Sequence, residues 1–79
     1  MTEVVFPALS REDATALGVL STWFVRDGES VEADQLLAEV QVDKVAAEVP
    51  SPVAGVVHLL VGEEAEVLQG APIARIDSD

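Results

Sequence analysis

The sequence repeats itself. Gly18-Val19-Leu20 matches Gly55-Val56-Val57, and Leu37-Ala38-Glu39-Val40 matches Ile73-Ala74-Arg75-Ile76. Between these pairs, Gly28-Glu29-Ser30-Val31 aligns with Glu64-Ala65-Glu66-Val67 once one residue is deleted. Each half reads as a strand, an acidic turn, a short apolar step, a second turn and a closing strand. Neither unit can bury its own apolar face. Two of them are expected to pack against each other about a pseudo-two-fold axis.

The elements within each half read as β. Short apolar runs cover Val4 to Phe6, Gly18 to Val25, Leu36 to Val42, Val45 to Val49, Gly55 to Val61 and Pro72 to Ile76. Turn signals separate them: Arg26-Asp27-Gly28-Glu29, Pro50-Ser51-Pro52-Val53-Ala54-Gly55, Gly62-Glu63-Glu64 and Gln69-Gly70. The runs are rich in β-branched residues, which suit a pleated, half-buried surface. The expected fold is all-β: a flattened barrel, or barrel-sandwich, of two antiparallel sheets. Glu32 to Glu39 holds good helix formers, and a helix from Val31 to Val49 could be drawn. The β-branched Val40, Val42, Val45 and Val49, the stops at Pro50 and Pro52, and the repeat itself all favour strands. At 79 residues the chain is expected to form one domain over residues 1–79, with its core between about 3 and 77.

Charge removes several functions. Fifteen acids against four bases give a formal net charge of −11. Phosphate binding needs a stripe of Lys and Arg that this chain lacks, so nucleic acid and anionic membrane surfaces are not expected partners. An acidic surface attracts basic protein surfaces instead. No apolar run reaches the ~18 residues of a membrane span, and Met1-Thr2-Glu3 does not begin a signal peptide, so the expected location is intracellular. There is no cysteine, hence no disulfide, thiolate metal site or thiol nucleophile.

One amine stands out. Lys44 is the only lysine; the other cations are Arg11, Arg26 and Arg75. It follows Asp43 between the strand-like runs Leu36 to Val42 and Val45 to Val49, which puts it at a hairpin tip. An acylating enzyme would meet a single side-chain target there. In the second half, the strand that corresponds to Leu36–Val42 ends without a lysine.

Together these residues resemble the lipoyl domain of 2-oxo acid dehydrogenase complexes. The resemblance runs from about Val4 to Ile76. It rests on Val42-Asp43-Lys44-Val45, Glu48-Val49-Pro50-Ser51-Pro52 and Gly55, with Phe6-Pro7-Ala8-Leu9, Trp23 to Val31 and Gly70 to Ile76 in support. It implies that lipoate is joined by an amide to Lys44, and that Asp43 and Val45 flank it as recognition residues. It implies a carrier rather than an enzyme, part of a dihydrolipoyl acyltransferase. The implied partners are a lipoyl ligase, or an octanoyltransferase with lipoyl synthase; a thiamine-dependent decarboxylase; the acyltransferase catalytic domain; and dihydrolipoyl dehydrogenase. The isolated domain is expected to be a monomer, in a bacterial cytoplasm or a mitochondrial matrix. The chain departs from the family pattern at Gln41-Val42, where Glu-Thr is frequent, at Val45, where alanine is commoner, and at Phe6, where methionine is frequent. Ser10 to Leu17 is an atypical form of the loop that helps partner enzymes choose their carrier. Asp-Lys-Val with Glu-Val-Pro leans toward 2-oxoglutarate or branched-chain complexes, with pyruvate and acetoin systems open.

Alternatives remain at this stage. A biotin carrier shares the expected fold but sets its lysine between methionines, which Val42-Asp43-Lys44-Val45 lacks. An unmodified lipoyl-like docking module need not keep Asp-Lys at the tip. An acyl carrier protein would need a serine opening a long helix, and Asp77-Ser78-Asp79 is followed by none. A hydrolase would need a nucleophile–base pair, and His58 is the only histidine. His58 reads as an exposed strand residue, Trp23 and Phe6 as packing residues, and Gly55 as a site of close packing or positive φ. Glu48 reads as part of a solvated strand face, and the remaining acids lack calcium-loop spacing.

Overall fold

The computed structural model describes residues 1–10, 12, 13 and 15–78. Among these residues, eight strands follow one another: β1 (Thr2–Val5), β2 (Leu17–Trp23), β3 (Ser30–Val31), β4 (Leu36–Val42), β5 (Val45–Pro50), β6 (Gly55–Leu59), β7 (Glu66–Leu68) and β8 (Pro72–Asp77). They form two four-stranded sheets, ordered β1-β8-β6-β3 and β5-β4-β2-β7, and every pairing is antiparallel. This is the expected all-β barrel-sandwich. Among the described residues there is no helix, which removes the helical acyl-carrier alternative. Glu32 to Gln35 forms a turn, with Asp34 at φ 68°, and the helix formers there gain no helix.

The pseudo-two-fold appears bond by bond. The Phe6 amide donates to the Ala71 carbonyl at 2.8 Å, and the Ser51 amide to the Gln35 carbonyl at 2.8 Å. The Gly28 amide reaches the Val57 carbonyl at 2.7 Å, and the Glu64 amide the Leu20 carbonyl at 2.7 Å. Side chains repeat the pattern: Asp27 accepts from the Leu59 amide and Glu63 from the Trp23 amide, both at 2.9 Å. The left-handed residues pair as well, Gly28 (φ 87°) with Glu64 (φ 68°), and Asp34 (φ 68°) with Gly70 (φ 86°).

Matching bulges shape the sheets. On β4 the register skips Leu37, and on β8 it skips Ile73. Each extra residue puts two successive side chains inward, Leu37 with Ala38 and Ile73 with Ala74, all fully buried. A third bulge, at Ser21 on β2, has no counterpart in the regular β6–β8 register. It is the source of the one-residue deletion in the sequence repeat. The inward side chains form one core, led by Phe6, Leu20, Leu37, Val40, Val57, Ile73 and Ile76. Phe6 fits because Gly18 faces it: a Cβ there would lie 2.1 Å from the ring tip.

Candidate functional site

The β4–β5 hairpin is built by alternation. Val40 and Val42 point into the core, so Glu39 and Gln41 point out. On β5, Val49 points in, and Ala46 and Glu48 point out. Val42 pairs with Val45 to close the strands, leaving Asp43-Lys44 as a two-residue turn. Such turns need a left-handed first central residue to match strand twist. Asp43 meets that need at φ 54°, and aspartate is among the few side chains that tolerate it. The turn therefore rests on a buried valine base and carries its charged residues clear of the body.

Asp43 and Lys44 are both exposed, and Val45 is 50% exposed. Among the described residues, no side-chain hydrogen bond or ion pair engages the Lys44 amine. An amine held away from the core, with neighbours no larger than Val45, is accessible to an enzyme that must surround it. One contact stiffens the turn: Gln41 Nε2 donates to the Asp43 carbonyl at 2.9 Å. The sequence marks Gln41 only as a departure from a familiar pattern. Its role as a brace appears once the hairpin register is known.

Other residues singled out in the sequence fall elsewhere. Glu48 lies on the solvent face of β5, directly opposite Glu39. His58 sits on β6 opposite Arg75 and is half-buried rather than exposed, because β6 is an inner strand flanked by β8 and β3. Phe6 is buried in the core; Trp23 packs at its edge and donates from Nε1 to the Val61 carbonyl at 3.0 Å. Gly55 is a site of close approach, since a Cβ there would lie 2.5 Å from the Asp77 carbonyl oxygen. Among the described residues, no group of three or more His, Asp or Glu side chains is arranged to hold a metal ion. Among the described residues, no helix is long and apolar enough to cross a membrane.

The expectation for the Ser10–Leu17 loop includes Arg11 and Ala14, which lie outside the described residues. The rest of the loop is fastened by a residue the sequence did not single out. Gln69 accepts from the Ser10 amide at 2.8 Å and donates to the carbonyls of Asp13 at 3.2 Å and Ala16 at 3.1 Å. Inside the loop, Asp13 accepts from the Thr15 hydroxyl at 2.6 Å and the Thr15 amide at 3.0 Å. Those bonds, the hydroxyl's above all, hold the Asp13 carboxyl below its ordinary value of 3.8.

Known proteins share this body. The solution structure of the lipoyl domain of the 2-oxoglutarate dehydrogenase complex from Azotobacter vinelandii superposes with a TM-score of 0.75 and 28% identity, over 95% of this chain and 96% of that one. The dihydrolipoyllysine-residue acetyltransferase component of the pyruvate dehydrogenase complex of Corynebacterium glutamicum is 43% identical over 76 residues, 95% of this chain. Its counterpart in Staphylococcus aureus strain Mu50 is 45% identical over 62 residues, 77% of this chain. The chain spans only 11% and 14% of the lengths of these two relatives. The biotin/lipoyl family model, described as "Biotin-requiring enzyme", matches residues 2–76, nearly every residue of the two-sheet body, and the chain belongs to that family.

Proposed function

We propose that Lys44 is the attachment point for lipoate, and that residues 1–79 form one carrier domain of a dihydrolipoyl acyltransferase in a 2-oxo acid dehydrogenase complex. The observation that carries this reading is the hairpin. The only lysine of the chain stands exposed on a two-residue turn whose base is locked into the core by Val40 and Val42. The amine fits the group, because amide formation needs a side chain free to enter another enzyme's active site. When joined, lipoate supplies a dithiolane, in which one sulfur takes an acyl group while the other leaves as a thiol. The chain itself holds the arm on a stiff turn, presents it on an acidic surface, and gives the arm a high local concentration near tethered enzymes. Lipoylation removes the positive charge of Lys44.

The partners implied are a lipoyl ligase, or an octanoyltransferase with lipoyl synthase; a thiamine-dependent decarboxylase; the acyltransferase catalytic domain; and dihydrolipoyl dehydrogenase. A bacterial cytoplasm or a mitochondrial matrix would house them. Identities of 43% and 45% to acetyltransferases of pyruvate dehydrogenase favour pyruvate as the 2-oxo acid. They weigh against the lean toward 2-oxoglutarate or branched-chain complexes in the hairpin residues, although the 28% identical neighbour belongs to a 2-oxoglutarate complex. Biotin is the weaker cargo, because Asp43 and Val45 flank Lys44 where biotin carriers place methionines.

Intact mass decides the matter. The chain is incubated with lipoate, ATP and a lipoyl ligase, beside a Lys44→Arg control. The expected result is one lipoyl-amide increment on the wild type and none on the control. A folded wild type without the increment refutes the reading, and a biotin ligase reaction then tests the alternative cargo.

A further inference from the structure

We infer that the groove between the two open sheet edges, β1 and β5, is a binding site for a linear aliphatic diamine or polyamine, held by Glu3 and Glu48. Glu48 lies four residues along β5 from Lys44, about 13 Å at the rise of a strand. The site is therefore separate from the Lys44 turn and does not depend on what that lysine carries.

The groove follows from the pseudo-two-fold. β1 and β5 are edge strands of their sheets, at equivalent places in the two halves. Glu3 pairs with Arg75 as Glu48 pairs with Glu39, and the Phe6 and Ser51 amides make equivalent bonds just beyond. The groove between these strands encloses about 330 Å³, and both strands line it. Its lining comes in equivalent pairs. Val4 and Val49 are buried and lie deepest. Val5 stands where the other half has Pro50, and Pro7 where it has Pro52. Glu3 and Glu48 are the charged pair, and both are exposed.

The lining selects a ligand. Its walls are valine and proline, and its two carboxylates stand at symmetry-related points. A molecule that fits presents an aliphatic middle to the walls and a cation toward each end. The volume is at the small end of the roughly 300–1,000 Å³ typical of small-molecule sites. A polypeptide fits less well. A strand added to either edge needs amide donors, and Pro7, Pro50 and Pro52 have none. Edges that carry charge and proline resist strand addition. A methylene chain with ammonium ends needs no backbone ladder. Because the groove is alike in both directions, a ligand with matching ends binds either way round.

Neighbouring charges rank the two ends. Glu48 is opposite Glu39 on β4, carboxylate against carboxylate, whereas Glu3 is opposite Arg75 on β8. Among the described residues, neither groove carboxylate makes a hydrogen bond or ion pair. An ammonium at Glu48 relieves a like-charge pair. At Glu3 it stands near the Arg75 guanidinium and gains less. The formal net charge of −11 adds a general attraction for any polycation. The groove adds what that attraction lacks, which is apolar contact and a fixed spacing between two acids.

The experiment titrates the isotope-labelled chain with α,ω-diaminoalkanes, from diaminopropane to diaminodecane, and with the matching monoamines. Ionic strength is low, pH is fixed, and circular dichroism checks folding. Amide signals of Glu3, Val5, Glu48 and Val49 should move together, while those of Glu66 and Leu68 on β7 stay. Affinity should rise and then fall with chain length, because two fixed carboxylates set one best spacing. The best diamine should bind about two- to fivefold more tightly than its monoamine. Glu48→Gln should weaken it by about the same factor, and Glu3→Gln by less. Glu66→Gln removes the same charge elsewhere and should leave binding nearly unchanged. Groove signals that do not move overturn the inference. Equal affinity at every length would mean a diffuse counterion atmosphere, and steady strengthening with length would mean apolar adsorption; either overturns it. A loss in Glu66→Gln as large as that in Glu48→Gln overturns it as well.

Discussion

Gln41 donates its side-chain amide to the carbonyl of Asp43 at 2.9 Å, across the turn that presents Lys44. The donor lies on the outer face of β4 and the acceptor in the turn itself. The bond opposes fraying of the hairpin at its most exposed point.

Replacing Gln41 with Glu removes the donor and sets a carboxylate against the Asp43 carbonyl. An exposed hydrogen bond of this kind contributes about 0.5–1 kcal/mol. Gln41→Glu should lower stability by that amount, about 2–8 °C in Tm for a domain this small. Gln41→Met, which keeps the stem and loses the donor, should fall between. Amide exchange at Lys44 and Val45 should quicken in both. Unchanged exchange would show that the brace is not holding the turn.

Asp43 has two separable roles, and its φ of 54° allows them to be tested apart. Asp43→Gly and Asp43→Asn accept the left-handed backbone and delete the charge. Asp43→Val keeps neither and should cost about 1–2 kcal/mol, because a β-branched side chain crowds the following carbonyl. Denaturant midpoints should therefore rank Gly and Asn near wild type and Val well below. Ligase rates then report the carboxylate: a drop in the Gly and Asn variants means the charge is read, and no drop means Asp43 serves the turn alone.

Much of this was legible in the sequence because the fold is a repeat of short, locally determined pieces. The exposed hairpin at Asp43-Lys44 followed from two β-branched runs with a turn pair between them. The pseudo-two-fold followed from the Gly18 and Gly55 triplets and the Gly28 and Glu64 turns. The short β3 and β7 read only as apolar steps, since two or three residues carry no period. The deletion in the repeat had no visible cause until the Ser21 bulge supplied one. Gln69 was illegible, because its bonds to Ser10, Asp13 and Ala16 cross 59, 56 and 53 residues. His58 read as exposed because alternation alone does not reveal that β6 is an inner strand.

Gly18 should tolerate no side chain without loss, because the Phe6 ring fills the space that a Cβ would need. A Cβ at this position would lie 2.1, 2.6 and 2.9 Å from three Phe6 ring atoms, and that ring is fully buried. Gly18→Ala should cost about 1–3 kcal/mol by overpacking. Phe6→Leu opens space, so the double variant should lose less than the sum of the two single losses. Gly62→Ala is the comparison: nothing lies within 4 Å of its Cβ position, and its change should stay within about 0.5 kcal/mol. Additive losses at Gly18 and Phe6 would mean that the clash is relieved elsewhere.

Asp13 links pH to the loop that leads into Leu17. The Thr15 hydroxyl and amide stabilise its charged carboxylate, so its folded pKa lies below 3.8. Between the folded and unfolded values the unfolded chain binds more protons. The contribution to stability is therefore complete above the unfolded pKa and is lost as pH falls through the folded one. The carboxylate is open to solvent, so the effect belongs to the loop rather than to global unfolding. Thr15→Val removes the hydroxyl and keeps both the backbone amide and the β-branched shape. Its Asp13 midpoint, followed by carbon NMR of the carboxyl group, should move up toward 3.8 without reaching it, since the amide bond persists. An unmoved midpoint would show that the amide alone holds the carboxylate, and loop order at low pH would then be independent of Thr15.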